Sequence, residues 1–316
     1  MPGSGRWDWG WALHASMLLV VVFWGLAFVG IKQALEHMSW ITLTFLRFAV
    51  ADVLFAAYLL GWARDHAPPG RRDLPALVAL GFLGFTGYHL FLNLGEADPD
   101  VTAGTAALII AAAPAFIAIF AAPVLRERLT AVRAGGIALA FAGLAVMILL
   151  AHPGSEFRFQ VSEGALAVLP PAVFAALYAV FGKGYLRRYK PFVFVAYTIV
   201  LATLLTLPLV LWTWPEFSRD VATMGLEGFL PVLFLGAFPT FIAYGLWFRG
   251  LERMPAAAAG TYVYLSTLVA IVGGVLLLGE GLTAPGLLGG AMVIAGGRRR
   301  PAVRPAVSPC GNPRAI

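Results

Sequence analysis

Residues 126–146 read RERLTAVRAGGIALAFAGLAV, and residues 279–297 read GEGLTAPGLLGGAMVIAGG. Laid over one another, they pair Glu127 with Glu280, Leu129 with Leu282, Thr130 with Thr283, Gly136 with Gly289 and Gly143 with Gly296. Each stretch closes one apolar run and opens the next, so a turn-and-helix unit recurs about 150 residues further along the chain. A weaker echo pairs Phe23 and Lys32 in the first apolar run with Phe174 and Lys183 in the sixth.

Working outward, the apolar runs are Leu13–Ala34, Trp40–Gly61, Leu74–Leu94, Val101–Leu125, Ala131–Leu150, Gly164–Gly182, Phe192–Trp212, Gly228–Phe248, Ala256–Gly279 and Pro285–Gly297. Most are long enough to cross the ~30 Å of bilayer hydrocarbon as a helix. The chain is 60% hydrophobic and 12% charged, about half the charged share of a soluble domain, which excludes water as its main solvent. None of the runs alternates as a barrel strand does, and in lipid only helices satisfy their backbone segment by segment. The expected fold class is therefore an all-α integral membrane protein of ten transmembrane helices. The first run is too long for a signal peptide and lacks a small-residue cleavage site, so it is read as a retained helix.

The loop charges give the topology. Assigning alternate loops to one side collects 18 Lys and Arg residues there and leaves Lys32, Arg158 and Arg219 on the other. By the positive-inside rule both termini are cytoplasmic. Glu96, Asp98 and Asp100 fall in one outer loop without cations. Because five is odd, the second copy of a five-helix unit lies upside down relative to the first. The swap of RER for GEG agrees, since the first turn is then cytoplasmic and the second external. The expected domains are 15–150 for the first repeat and 164–297 for the second, enclosing a central cavity, with 298–316 a disordered basic cytoplasmic tail. Inverted repeats of this kind are a transporter architecture. The last apolar run underspans the bilayer before RRRP intervenes, and an altered reading frame near Gly297 would account for it.

The pattern resembles the EamA family of the drug/metabolite transporter superfamily. The first copy carries WGLAFVGIK, LRF, NLGE leading to VTAGTAALI, and Pro114. The second carries ALYAVFGK, AYGLWFRGLERMPAAAAG and LLLGEGLTAPGLLGGAMVIAG. The resemblance spans about residues 15 to 297 and departs where the family places Glu-Pro in the ninth helix, since Ser266 and Thr267 stand there. It implies a secondary carrier in the bacterial inner membrane, commonly an exporter of amino acids or related metabolites. The cavity it implies is lined mainly by helices one, three, four, six, eight and nine. A nucleotide-sugar or sugar-phosphate carrier of the same superfamily is the alternative, although Arg47 is the one cation deep in a span. An integral-membrane lipid-modifying enzyme would need an interfacial catalytic cluster, and the short loops carry none.

Ionisable groups inside spans are informative because burying them in lipid is costly. Arg47 could recognise a substrate carboxylate, or bond helix-end carbonyls and snorkel outward. Asp52 could couple transport to protons, or be a paired helix contact. The two lie about 140° apart on one helix, so each needs a partner elsewhere. Tyr88, His89 and Asn93 form a polar patch that either lines the cavity or joins helices. Pro114 and Pro239 fall mid-helix as candidate breaks or hinges. Within the helices that the resemblance assigns to the cavity, Trp24, Tyr178, Tyr244, Trp247, Tyr262 and Tyr264 are candidate substrate contacts. No metal, cofactor or nucleic acid is expected, since no ligand spacing and no GxxxxGK[ST] pattern occurs. The expected partners are a small-molecule metabolite, the bilayer and, as one option, a second copy in a homodimer.

Overall fold

The computed structural model describes residues 10–63, 68–124, 131–150, 163–281 and 283–297. Helix α1 spans Gly10–Leu35, α2 Trp40–Gly61, α3 Leu74–Glu96, and α4 is split into Ala103–Ile110 and Ala113–Val124. Helix α5, Ala131–Leu150, closes the first half; in the second half α6 spans Glu163–Tyr185, α7 Pro191–Trp212, α8 Gly225–Arg253, α9 Ala256–Leu278 and α10 Ala284–Gly297. Among the described residues there is no strand. Eight helices among the described residues are long and apolar enough to cross a membrane, and shorter apolar segments at 134–146 and 284–296 complete ten. Large apolar side chains such as Leu60, Leu204, Leu211, Leu276 and Leu277 face outward, as a lipid solvent permits.

The repeat is visible in the packing. A Cβ added to Gly136 would strike the carbonyl of Gly296, and one added to Gly143 would strike the carbonyl of Gly289. Those two contacts exchange under the sequence pairing of Gly136 with Gly289 and Gly143 with Gly296. They also cross, low number to high and high to low, so α5 and α10 run antiparallel, and two equivalent helices in antiparallel contact are related by inversion across the membrane. Only glycine lets the backbones come this close. The other contacts follow the same rule: α1 packs on α8 and α9 while α6 packs on α3 and α4, and α2 packs on its counterpart α7.

Helix α9 is unbroken at Ser266 and Thr267, which stand where the family places Glu-Pro, and their hydroxyls both donate to the Val263 carbonyl. Other details depart from the sequence reading. A short helix, Trp214–Thr223, precedes α8, where the sequence reading placed only loop. Its Asp220 accepts from the Ser39 amide at 2.9 Å and the Thr42 hydroxyl at 2.8 Å, holding the start of α2. Glu96 is not in a loop but is the last residue of α3 and is buried. At the other end of α3, Asp73 accepts from the Tyr189 hydroxyl and from Arg188, both at 2.7 Å, and these bonds hold its carboxyl below the usual range. Glu127, Arg158, the basic tail and the frame question beyond Gly297 lie outside the described residues.

Candidate functional site

Midway along α1, α3, α4, α6, α8 and α9 lies a cavity to which all six helices contribute. Its walls are largely apolar and aromatic, with Trp24, Phe28, Tyr88, Tyr178, Tyr244 and Trp247 supplying the rings. The helices are those the family resemblance implies, with one addition: α2 contributes Arg47.

The geometry around Arg47 begins at Pro239. Proline has no N–H, so the Leu235 carbonyl one turn earlier loses its usual donor. The helix widens into a π-helical stretch, Gly236–Ala243, in which carbonyls bond the amide five residues on, and the Thr240 hydroxyl also donates to the Leu235 carbonyl at 2.7 Å. That leaves the Thr240 oxygen free to accept, and Arg47 Nε donates to it at 2.7 Å. Arg47 is 2% exposed, and its Nη1 has no hydrogen-bond partner. Among the described residues no carboxylate lies within ion-pair distance of it. The Pro239 carbonyl accepts from the Trp24 indole at 3.2 Å, which fixes that ring in the wall. Helix α3 carries a matching π-helical stretch at Phe82–Thr86. Setting Gly104-Thr105 against Gly260-Thr261 pairs Tyr88 with Tyr244, so the two halves offer equivalent tyrosines to the cavity.

The aromatic wall is fixed in orientation. Trp24 lies 5.3 Å from Tyr244 and 5.0 Å from Trp247, centroid to centroid. The Tyr244 hydroxyl donates to the Gly84 carbonyl at 3.3 Å. A Cβ on Gly84 would overlap the Tyr178 ring at 2.6 Å, so glycine is required there. The Tyr178 hydroxyl meets Thr198 at 2.9 Å, and because Thr198 already donates to carbonyls of its own helix, the tyrosine is the donor. His89 Nδ1 lies 3.0 Å from the Phe85 carbonyl, so Nδ1 carries the proton and Nε2 is an acceptor. On α4, Pro114 cannot bond the Ile110 carbonyl. The helix breaks at Ala111–Ala112, and Ile110 and Ala113 line the cavity on either side.

Other candidates lie elsewhere. Asp52 does not reach the cavity; it accepts from Thr203 on α7 at 2.7 Å, because the 140° between it and Arg47 turns it to the opposite side of α2. Asn93 also stops short, donating to Thr44 at 2.9 Å and tying α3 to α2. Tyr262 bonds His14 on α1, and Tyr264 is buried outside the lining. Sequence reasoning missed three residues. Thr240 and Gly84 gave no signal until the π-helical turns were seen, whereas Glu96 carried one, being an acid at the end of an apolar run.

A profile described as the EamA-like transporter family matches residues 11–149 and again residues 162–297, one match for each half. The chain belongs to the EamA-like transporter family. It is 35% identical over 306 residues to a "probable terminal-alkyne amino-acid exporter" of Streptantibioticus cattleyicolor, covering 93% of this chain and 97% of that protein. It is 34% identical to an "uncharacterized transporter" of Archaeoglobus fulgidus, covering 89% and 95%. A "probable amino-acid metabolite efflux pump" of Salmonella typhimurium is 30% identical, covering 88% and 91%. A solved crystal structure shares the fold with a TM-score of 0.62 at 20% identity, over 90% of this chain and 95% of its own. An EamA-like transporter with this cavity is a multi-pass secondary transporter, and the cavity is its candidate substrate site.

Proposed function

We propose that this EamA-like transporter exports amino acids with apolar side chains, or closely related carboxylates, by alternating access across the cytoplasmic membrane. The observation that carries this is Arg47, a permanently charged guanidinium in an apolar cavity, with Nη1 unpartnered and no counter-ion in contact among the described residues. A buried charge calls for a partner, and a carboxylate matches the guanidinium fork. The faces of Trp24, Trp247 and Tyr244 suit an ammonium group, worth roughly 0.5–2 kcal/mol by cation–π attraction. His89 Nε2 adds a neutral acceptor. The remaining apolar wall takes a hydrocarbon side chain.

The names of the Streptantibioticus and Salmonella relatives point the same way. A sugar-phosphate or nucleotide-sugar carrier fits less well, because one guanidinium in an apolar wall gives a phosphoryl group little to bind. The loop charges support cytoplasmic termini, and in this reading the halves, about 15–150 and 164–297, are the bodies that rock around the cavity. L-Leucine is the probe. Proteoliposomes loaded with L-leucine take up labelled L-leucine in exchange, and the Arg47→Ala variant loses that exchange while still inserting. Wild-type exchange in Arg47→Ala removes the guanidinium from recognition.

A further inference from the structure

One buried ionisable side chain near the cavity, Glu96, is not among its lining residues. Glu96 closes α3 one turn beyond Leu92, which lines the cavity wall. It is 1% exposed, and neither carboxylate oxygen has a hydrogen-bond partner. No cation lies within ion-pair distance among the described residues. An ionised carboxylate in this state would have lost its hydration without gaining a hydrogen bond or an ion pair in return, so the site calls for a bound cation or a proton. Asp98 and Asp100 follow within four residues, partly or fully exposed, so water is close at hand.

The charged groups that bear on Glu96 come from several elements. Lys32 on α1, Glu280 in the turn between α9 and α10, and Arg47 on α2 are within electrostatic reach. The first residue of α6, Glu163, is exposed, and both segments of α4 lack ionisable residues. Glu280 is already occupied, accepting from the Ala103 amide at 2.7 Å and the Gly104 amide at 3.3 Å at the start of α4. Lys32 is the group with a choice. Its ammonium donates to the Asp98 carbonyl at 3.2 Å rather than to Glu96.

We propose that Glu96 is a proton-binding site that drives export, taking a proton from the outer side when substrate leaves and releasing it to the cytoplasmic side in the return step. With the proton bound, Glu96 is neutral and Lys32 stays on the Asp98 carbonyl, where it lies in this structure. With the proton gone, the carboxylate draws Lys32 toward α3, and the contact between α1 and the end of α3 changes. The proton thus selects between two arrangements of helices that both line the cavity. No cluster of three or more acidic, His or Cys side chains accompanies Glu96 among the described residues, so a single proton suits the site better than a multiply ligated metal ion.

This inference rests on the transporter reading above, and the test separates the two. Infrared spectra of the purified full-length protein in lipid need no substrate. The wild type shows the carbonyl stretch of a protonated carboxylic acid at neutral pH, Glu96→Gln removes it, and Glu96→Asp, which keeps a titratable group, moves it. In proteoliposomes, Glu96→Gln loses about tenfold or more of the L-leucine accumulation driven by a pH gradient, relative to its exchange activity. An unchanged infrared band in Glu96→Gln overturns the proposal, as does pH-driven accumulation at the wild-type ratio or accumulation driven by sodium instead. Absence of any L-leucine exchange by the wild type contradicts the substrate reading, and the infrared result still decides Glu96.

Discussion

Replacing Arg47 with methionine removes the charge from the cavity wall and leaves the rest of the wall in place. Thr240 keeps its own bond to the Leu235 carbonyl at 2.7 Å, so no donor is orphaned when the guanidinium goes. Exchanging a buried charge for an apolar side chain of similar length is commonly neutral or stabilising, so the variant folds. Substrate binding loses a hydrogen bond between charged groups, worth about 1.5–3 kcal/mol. At 1.4 kcal/mol per tenfold, L-leucine affinity falls by roughly 10- to 150-fold. The assay is inhibition of labelled L-leucine exchange by L-leucine and by 3-methylbutylamine, the same molecule without its carboxylate. The charge removal weakens the acid and leaves the amine almost unaffected, which isolates the interaction as a double-mutant cycle does. Equal weakening of both ligands, or of neither, refutes the assignment of Arg47 to the carboxylate.

Trp24→Ala removes the bond to Pro239 and two ring contacts of α1 with α8, and L-leucine exchange affinity falls about tenfold, with Trp24→Phe between it and wild type. Thr240→Ala leaves the buried Arg47 Nε without its partner, costing roughly 1–3 kcal/mol, read as a lower midpoint of thermal inactivation in detergent. Gly136→Val forces α5 from α10 and lowers that midpoint, whereas the same change at Gly135, which has open space, does not. Asp73→Asn loosens the tie to Arg188 and Tyr189. Because this carboxyl is held below the usual range, the tie is intact at neutral pH and is lost only as pH falls below about 4, as midpoints measured across pH would show.

Ten spans and two halves were legible because the bilayer fixes helix length and because the GEG and RER turns keep enough identity to align. The aromatic candidates Trp24, Tyr178, Tyr244 and Trp247 came from the family resemblance, and the cavity gathers them with Arg47, Tyr88 and His89. Asp52 and Tyr262 were not separable from these by sequence. Their distance from the cavity depends on how α2 turns toward α7 and where α9 meets His14, both set by packing between distant segments. Thr240 was invisible for another reason: its role arises only after Pro239 has freed a carbonyl and the helix has widened. Glu96 looked like a loop acid until the packing of α3 against α6 placed it inside the bundle.

The orientation has its own check. Reporters fused at residues 68–72 and 186–190 read as cytoplasmic and one fused at 216–219 reads as external, and the reverse pattern overturns the assignment of sides. The central claim, a carrier that binds an amino acid between its halves, is tested most directly by exchange in purified proteoliposomes. Vesicles loaded with unlabelled L-leucine accumulate labelled L-leucine above equilibrium, saturably and faster than empty vesicles. Uptake no faster than in vesicles without protein would contradict it.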